Sequence, residues 1–338
     1  MVATARRRRG ETPYADAFQN GATSSECSRT RARAESWEAC LAIAQAPERA
    51  FPRALFWLRM LFGRRRSRWC GVLSELYLPV LIRAPVFRLF ALLFHANLAE
   101  LTQPLNSFQS FNEFFRRKLR DGLRPIAELP KGIVSPVDAR VLTVGVIDSA
   151  NGRVEQVKGA TYSVHKFLGL DPVSKARNGS TIHYIVLYLG PGDYHRIHSP
   201  CDVEFTHGRH FSGEFFPLRT CLLRSMDDLL CVNERVVLSG EWAFGQMYLV
   251  AVAAANVGNI FLDFDSKLRT NRDSPTYCTR DVFSKMYPDG VTLGAGGMVG
   301  GFALGSTVVL VLEAPPSFGW SVALGATVRV GQPLGTFL

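Results

Sequence analysis

The chain has 338 residues, 47% of them hydrophobic and 20% charged, with a formal net charge of +10. That is enough apolar material for one large core or two smaller ones and argues against a wholly disordered polymer. Residues 1–70 hold 14 Arg, no Lys and 6 acidic residues, which leaves 25 basic against 23 acidic residues for the remainder, so the folded part is nearly neutral and a general nucleic-acid groove is not expected.

Residues 1–69 are rich in Arg, Ala and Ser, from Arg6–Arg9 through Arg29, Arg31 and Arg33. The composition suits an organellar presequence, although the acidic residues are unusual for one, and a disordered basic tail is the plainer alternative. The seven cysteines (Cys27, Cys40, Cys70, Cys201, Cys221, Cys231, Cys278) are scattered without a Cys-x-x-Cys pair. That pattern argues against a disulfide framework or a zinc ribbon.

Residues 70–130 read as a helical, membrane-associating region. The apolar stretch 54–99 is interrupted by Arg59, Arg64–Arg66, Arg68, Glu75, Arg83 and Arg88, so no clean transmembrane helix is expected there. Pro85 suits the first position of a helix. Val86, Phe87, Leu89, Phe90, Leu93 and Phe94 cover most of that helix's circumference, while Arg88 and His95 stay polar. Such a helix either packs into a core or lies in the headgroup layer of a bilayer, with Phe87, Phe90 and Phe94 as the lipid-facing trio in the second case. A second helix is signalled by Ser110 and Glu113 as a capping box, with Phe111, Phe115 and Leu119 at helical spacing and the basic run Arg116-Arg117-Lys118 at its end.

From residue 131 the pattern changes to short β-rich runs separated by turn residues. Strands are expected over Val141–Val146, Thr181–Leu189, Arg235–Leu238, Met247–Val252, Asn259–Phe264, Ser306–Glu313 and Thr327–Val330. Regular βα alternation is missing, which points to an α+β fold: an N-terminal helical layer on a largely antiparallel β domain. Residues 290–312 carry no charge and are long enough to cross a bilayer of about 30 Å. Their seven glycines fit a hairpin of strands better than a helix.

The densest polar cluster is Asp193-Tyr194-His195-Arg196-Ile197-His198-Ser199-Pro200. With His207 and His210 it offers either a metal site, whose spacings match no common motif, or a base beside a hydroxyl nucleophile. Asp138 in Ser135-Pro136-Val137-Asp138 is a turn residue that could orient such a base. Leu304-Gly305-Ser306-Thr307 sets a hydroxyl after a glycine, directly before the apolar run Val308–Leu312. Alone it is an ordinary turn into a buried strand.

Seven segments occur in register: Phe111–Leu119 with Arg124-Pro125, Ser135-Pro136-x-Asp138, Val154–Gly159, Asp193–Pro200, Asn233–Val236, Asn256-Val257-Gly258 and Leu304–Thr307. Together they resemble the phosphatidylserine decarboxylases of the mitochondrial and bacterial type, over about residues 70–338. The resemblance implies a proenzyme cut between Gly305 and Ser306 into a β chain ending at 305 and an α chain of 306–338, held together non-covalently. It makes Ser306 the nucleophile and then the precursor of a covalent pyruvoyl group, with Asp138 and His198 as the pair that activates it. It also places His195 at the substrate, for positioning or reprotonation. No metal and no pyridoxal phosphate is implied, because the pyruvoyl ketone serves as the electron sink.

The implied substrate is phosphatidylserine in a membrane, the products phosphatidylethanolamine and CO2, and the setting the mitochondrial inner membrane, bound peripherally. Nucleic acid is not an expected partner, and a homodimer is one option. Two departures from the family pattern stand out: Ala139 replaces the usual Gly after Asp138, and Gly294–Gly301 lacks the charges common there. The alternatives are a processing-deficient lipid-binding homologue and a metal-dependent hydrolase built on the His195–His210 cluster.

Overall fold

The computed structural model describes residues 64–337 apart from 130, 148–152, 158–159, 171–178, 219–227, 256–258, 269, 272–281 and 304–306. The expected presequence up to residue 63, the Asn256-Val257-Gly258 segment, and Leu304, Gly305 and Ser306 therefore lie outside the described residues.

Helices α1 (Arg64–Glu75), α2 (Val80–Phe94) and α3 (Phe111–Phe115) come first. Helix α2 begins earlier than expected: Pro79 is its N-cap and Pro85 sits inside it. Pro85 has no N–H to offer the carbonyl four residues before it, yet its φ suits a helix that Pro79 has already started. The expected lipid-facing trio also divides. Phe87 is fully buried, stacks on Phe114 at 4.5 Å and meets Phe108 edge-on at 6.1 Å. Phe90 is partly buried against the same cluster, and only Phe94 is exposed. The exposed apolar face is instead Val80, Leu81, Ile82, Leu89, Leu92 and Leu93. Arg83 is buried and donates through Nε to Leu78 O and through Nη1 to Asn106 O, both at 2.8 Å, so it ties α2 to the next loops.

Helix α3 is shorter than its pattern suggested. Ser110 Oγ accepts from Glu113 N at 3.1 Å, as a capping box requires, but the Glu113 carboxylate accepts from Gln109 N rather than from the cap residue. Arg116 closes the helix, and Leu119 joins an isolated bridge to Leu101.

The β region opens with β1 (Ile133–Val134), β2 (Ala139–Val146), β3 (Arg153–Val157) and β4 (Ala160–Ser163), followed by helix α4 (Val164–Leu168). Next come β5 (Thr181–Tyr188), β6 (Arg196–His198), β7 (Val203–Phe211), helix α5 (Leu229–Val232), β8 (Arg235–Trp242) and β9 (Gly245–Val252). The rest are β10 (Asn259–Leu262), β11 (Val282–Leu293), β12 (Met298–Ala303), β13 (Thr307–Ala314), β14 (Phe318–Trp320), β15 (Thr327–Val328) and β16 (Pro333–Phe337). The largest sheet runs β11-β7-β8-β9-β13-β5-β2-β15; β10-β12-β6 and β1-β16-β14 form two smaller ones. Every ladder in these sheets is antiparallel. The architecture is thus α+β, with the longer helices preceding an antiparallel β region.

Residues 290–312 do not form a hairpin. β12 pairs with β10 and β6, whereas β13 pairs with β5 and β9, so the chain changes sheet between Ala303 and Thr307. The glycines of β12 explain the composition. A Cβ on Gly300 would lie 2.1 Å from Phe261 O, and one on Gly301 would lie 2.7 Å from His195 O. They let both neighbouring backbones approach closely.

β13 is buried at every residue, and its β-branched run faces the core on both sides. Replacing fully buried Leu310 with Ala is expected to cost about 2–5 kcal/mol in a urea unfolding series. A loss below about 1 kcal/mol would show that this strand is not the packed centre of the sheet.

Candidate active site

The strands bring the candidate residues to one end of the central sheet. Thr307, the first residue of β13, pairs with Tyr188 at the end of β5, and Tyr188 pairs on its other side with Arg140 at the start of β2. Asp138 lies two residues before Arg140, in the turn that enters β2. The segment leaving β5 carries Tyr194, His195 and His198, and β6 docks on β12 with Met298 opposite His198 and Gly301 opposite Arg196. Phe302 N donates to His195 O at 3.0 Å, close to where β12 ends at Ala303. The described residues on both sides of 304–306 therefore border the Asp138 turn and the two histidines.

His198 is held in one tautomer. Nδ1 lies 2.8 Å from Gly296 O, which can only accept, so Nδ1 carries the proton. Nε2 then accepts from Tyr194 Oη at 3.1 Å. Burial lowers the pKa of His198, only partly opposed by the Gly296 carbonyl and the negative charge of Asp138. Burial also pushes the Tyr194 phenol up to about 12, so it remains a donor. The ring is neutral, with a basic nitrogen covered by one weak acid.

His195 is fully buried against Phe115, ring centroids 4.1 Å apart. Nδ1 faces Asp193 O at 2.8 Å, and Nε2 is buried with no hydrogen-bond partner among the described residues. Burial pulls its pKa down to about 3. A buried imidazole nitrogen left unsatisfied by the protein is unusual and marks a place where a ligand atom would be welcome.

Asp138 does not hydrogen-bond the ring of His198. Its carboxylate receives Arg124 Nε at 3.0 and 3.1 Å, Arg124 Nη2 at 2.6 Å and Val330 N at 2.8 Å. Arg124 Nη2 also reaches Glu100 at 2.8 Å. Burial would lower the pKa of Arg124, but its bonds to Asp138 and Glu100 outweigh that and raise it. The turn and the histidine are joined through backbone instead, His198 N donating to Pro136 O at 2.8 Å. Asp138 acts on His198 through space, and its position is fixed by Arg124, whose Arg124-Pro125 motif was visible in sequence without an assigned role. Ala139 is not among the residues with positive φ, so the missing Gly introduces no backbone strain.

The four histidines do not gather. His195 and His198 adjoin the β10-β12-β6 sheet, whereas His207 and His210 lie on β7 of the largest sheet. His210 pairs with Glu234 at 3.0 Å, and among the described residues no group of three His, Cys, Asp or Glu side chains could hold a metal. The hydrolase reading built on that cluster loses its geometric basis.

A pH dependence follows from His195. Its folded pKa of about 3 lies below its ordinary value of 6.5, so the unfolded chain binds the extra proton between those limits. Its contribution to stability is complete above pH 6.5 and is lost progressively as pH falls toward 3. His195→Gln is expected to flatten the fall in urea-measured stability between pH 6.5 and pH 4 by about one proton. An unchanged slope would mean that His195 is not buried as a neutral imidazole.

A family model described as phosphatidylserine decarboxylase matches residues 111–336. A relative from Toxoplasma gondii, named phosphatidylserine decarboxylase proenzyme 1, mitochondrial, is 41% identical over 288 residues, covering 84% of this chain and 67% of its own. One from Plasmodium knowlesi, named phosphatidylserine decarboxylase proenzyme, is 37% identical over 83% of this chain and 80% of its own length. The Rattus norvegicus mitochondrial proenzyme is 38% identical over 81% and 72%. With the turn, His195, His198 and the two strands on either side of 304–306 all in the matched region, the chain belongs to the phosphatidylserine decarboxylase family.

Proposed function

We propose that this chain is a self-processing, pyruvoyl-dependent decarboxylase that converts phosphatidylserine to phosphatidylethanolamine and CO2. The observation that supports it most is the fully buried Nε2 of His195, which has no hydrogen-bond partner among the described residues, in a chain of this family whose residue Phe302 donates to the His195 carbonyl.

Self-cleavage needs a base for the Ser306 hydroxyl. His198 Nε2 is an unprotonated acceptor, and the charge of Asp138 stabilises the imidazolium that forms when it takes the proton. Ser306 Oγ then attacks the Gly305 carbonyl carbon. The Gly305–Ser306 amide bond breaks, the amine takes a proton, and an ester remains. Loss of the Ser306 Cα proton and cleavage of Cβ–O release Gly305 as a carboxylate and leave a dehydroalanine. Water adds, ammonia departs, and what was Ser306 becomes a pyruvoyl group in amide linkage to Thr307.

Once formed, that group supplies a carbonyl that takes up the substrate amine and stores the electron pair left as CO2 departs. His195 suits this chemistry, since its ring packs on Phe115 and its Nε2 has no hydrogen-bond partner among the described residues. The depressed pKa of His195 suits it to accepting a hydrogen bond from the substrate rather than delivering a proton as imidazolium. After cleavage, residues 307–314 remain bound non-covalently through the ladders of β13 to β5 and β9.

Membrane contact is supported by the exposed apolar faces of α1 and α2, including Trp69, Leu73, Leu81 and Leu92. Among the described residues no helix is long and apolar enough to cross a membrane. Peripheral attachment to the mitochondrial inner membrane fits the mitochondrial relatives and the basic N-terminal segment.

Intact mass of the purified protein is expected to show a 33-residue fragment beginning at residue 306 with a blocked N-terminus. Ser306→Ala is expected to remain one chain of 37.4 kDa. A folded wild type that stays uncut would leave the processing-deficient, lipid-binding reading in its place. Replacing Leu81, Leu92 and Leu93 with Ser is expected to weaken sedimentation with anionic vesicles while cleavage continues. Unaltered sedimentation would remove α2 from the membrane contact.

A further inference from the structure

A cavity of about 520 Å³ opens beside the candidate active site, where the start of α3, the basic run after it and Arg196 meet. Arg117 lines it and is only 4% exposed. One end of its guanidinium is committed: Nη2 donates to Gly192 O at 2.9 Å and to Asp193 O at 3.2 Å. Among the described residues Nε and Nη1 have no hydrogen-bond partner, nor has Nε of Arg116, which also lines the cavity and whose guanidinium lies 3.8 Å over the Phe261 ring. Buried guanidinium donors without acceptors are costly, and an acceptor-rich anion is the chemistry that satisfies them.

The lining carries four cationic side chains, Arg116, Arg117, Lys118 and Arg196, against two carboxylates, Glu75 and Glu113. Both carboxylates have internal partners, Glu113 at Gln109 N and Glu75 at Asn112 Nδ2. Arg196 is partly offset by Asp263 at 3.7 Å. The surplus is positive and is concentrated on Arg116, Arg117 and Lys118.

We propose that this cavity binds the phosphodiester of a phospholipid headgroup, with Arg117 as its buried anchor. This rests on the decarboxylase reading, and it assigns the substrate's phosphate a place. Two observations favour a lipid over free phosphate. Glu75, on the cavity wall, is followed directly by Leu76 and Tyr77, which are 53% and 65% exposed, so the cavity wall continues into apolar surface. Arg117 and His195 also share the Asp193 carbonyl, which sets the anion site one peptide away from the orphaned imidazole.

The test is calorimetric titration of the purified full chain with dihexanoyl phosphatidylethanolamine, a headgroup that carries the phosphodiester but no carboxylate to lose. Inorganic phosphate and free ethanolamine are the comparison ligands. Arg117→Gln and Lys118→Gln are each expected to weaken binding of the short-chain lipid about tenfold or more, since each removes a charge-assisted donor. Should Arg117→Gln fail to fold, Arg116→Gln joins Lys118→Gln in carrying the test. Lipid binding unchanged in the folded variants, or absent from the wild type, overturns the proposal. Inorganic phosphate bound as tightly, with the same losses, overturns the headgroup assignment. A wild type that binds lipid in an Arg117- and Lys118-dependent way without releasing CO2 from phosphatidylserine would sink the activity reading and keep the site. Decarboxylation with a KM unmoved by these substitutions would do the reverse.

Discussion

The strand Thr307–Ala314 is hydrogen-bonded on both edges, to β5 and to β9, and buried on both faces. Much of the molecule is arranged around that constraint. A strand with two paired edges cannot slide without breaking two ladders, and its apolar side chains cannot leave without opening the core. Its first residue, Thr307, therefore has a fixed address whatever happens to the chain upstream of it. The cleavage proposed between Gly305 and Ser306 would need such an address on its far side.

The same geometry sets the electrostatics. Because β5 lies between β13 and β2, the end of β5 meets the starts of both neighbours, and the segment that leaves it must turn over that end of the sheet. The segment carries His195 against Phe115 and His198 between Tyr194 and the Gly296 carbonyl, and desolvation lowers the pKa of both. Arg124 and a backbone N–H hold the Asp138 carboxylate in place. His198, its basic nitrogen covered by Tyr194, thus feels a fixed carboxylate, while His195 keeps an Nε2 with no partner among the described residues. The Gly294–Gly301 run completes the arrangement, since side chains on Gly300 or Gly301 would push β10 or the His195 backbone away from β12.

The helices answer a different demand. Phe87, Phe108 and Phe114 make a small core that anchors α2 and α3 to one another, while Leu81, Leu92 and Leu93 stay outside. A helix that is apolar on nearly every side permits both outcomes, and only the partner surface chooses which stripe is buried. That is why the proposed lipid-facing residues shifted from Phe87 to the leucines. The capping box at Ser110 was readable because its bonds are local, whereas the end of α3 at Phe115 was not, because Leu119 is drawn away by a bridge to Leu101.

The sequence by itself determined the β-rich character after residue 131 and carried seven motifs in register, whose resemblance to a family suggested roles for Asp138, His195, His198 and Ser306. Strand patterning and short motifs are legible because they are short-range properties of the chain. It missed β7 and most of β11, whose histidines and charges hide a strand until cross-strand partners supply the hydrogen bonds. Only the tertiary structure decided that residues 290–312 pass between two sheets, that Asp138 binds Arg124 rather than the His198 ring, and that Arg117 keeps two donors unspent. Each depends on which distant backbone happens to lie alongside, and a linear pattern does not encode that neighbour.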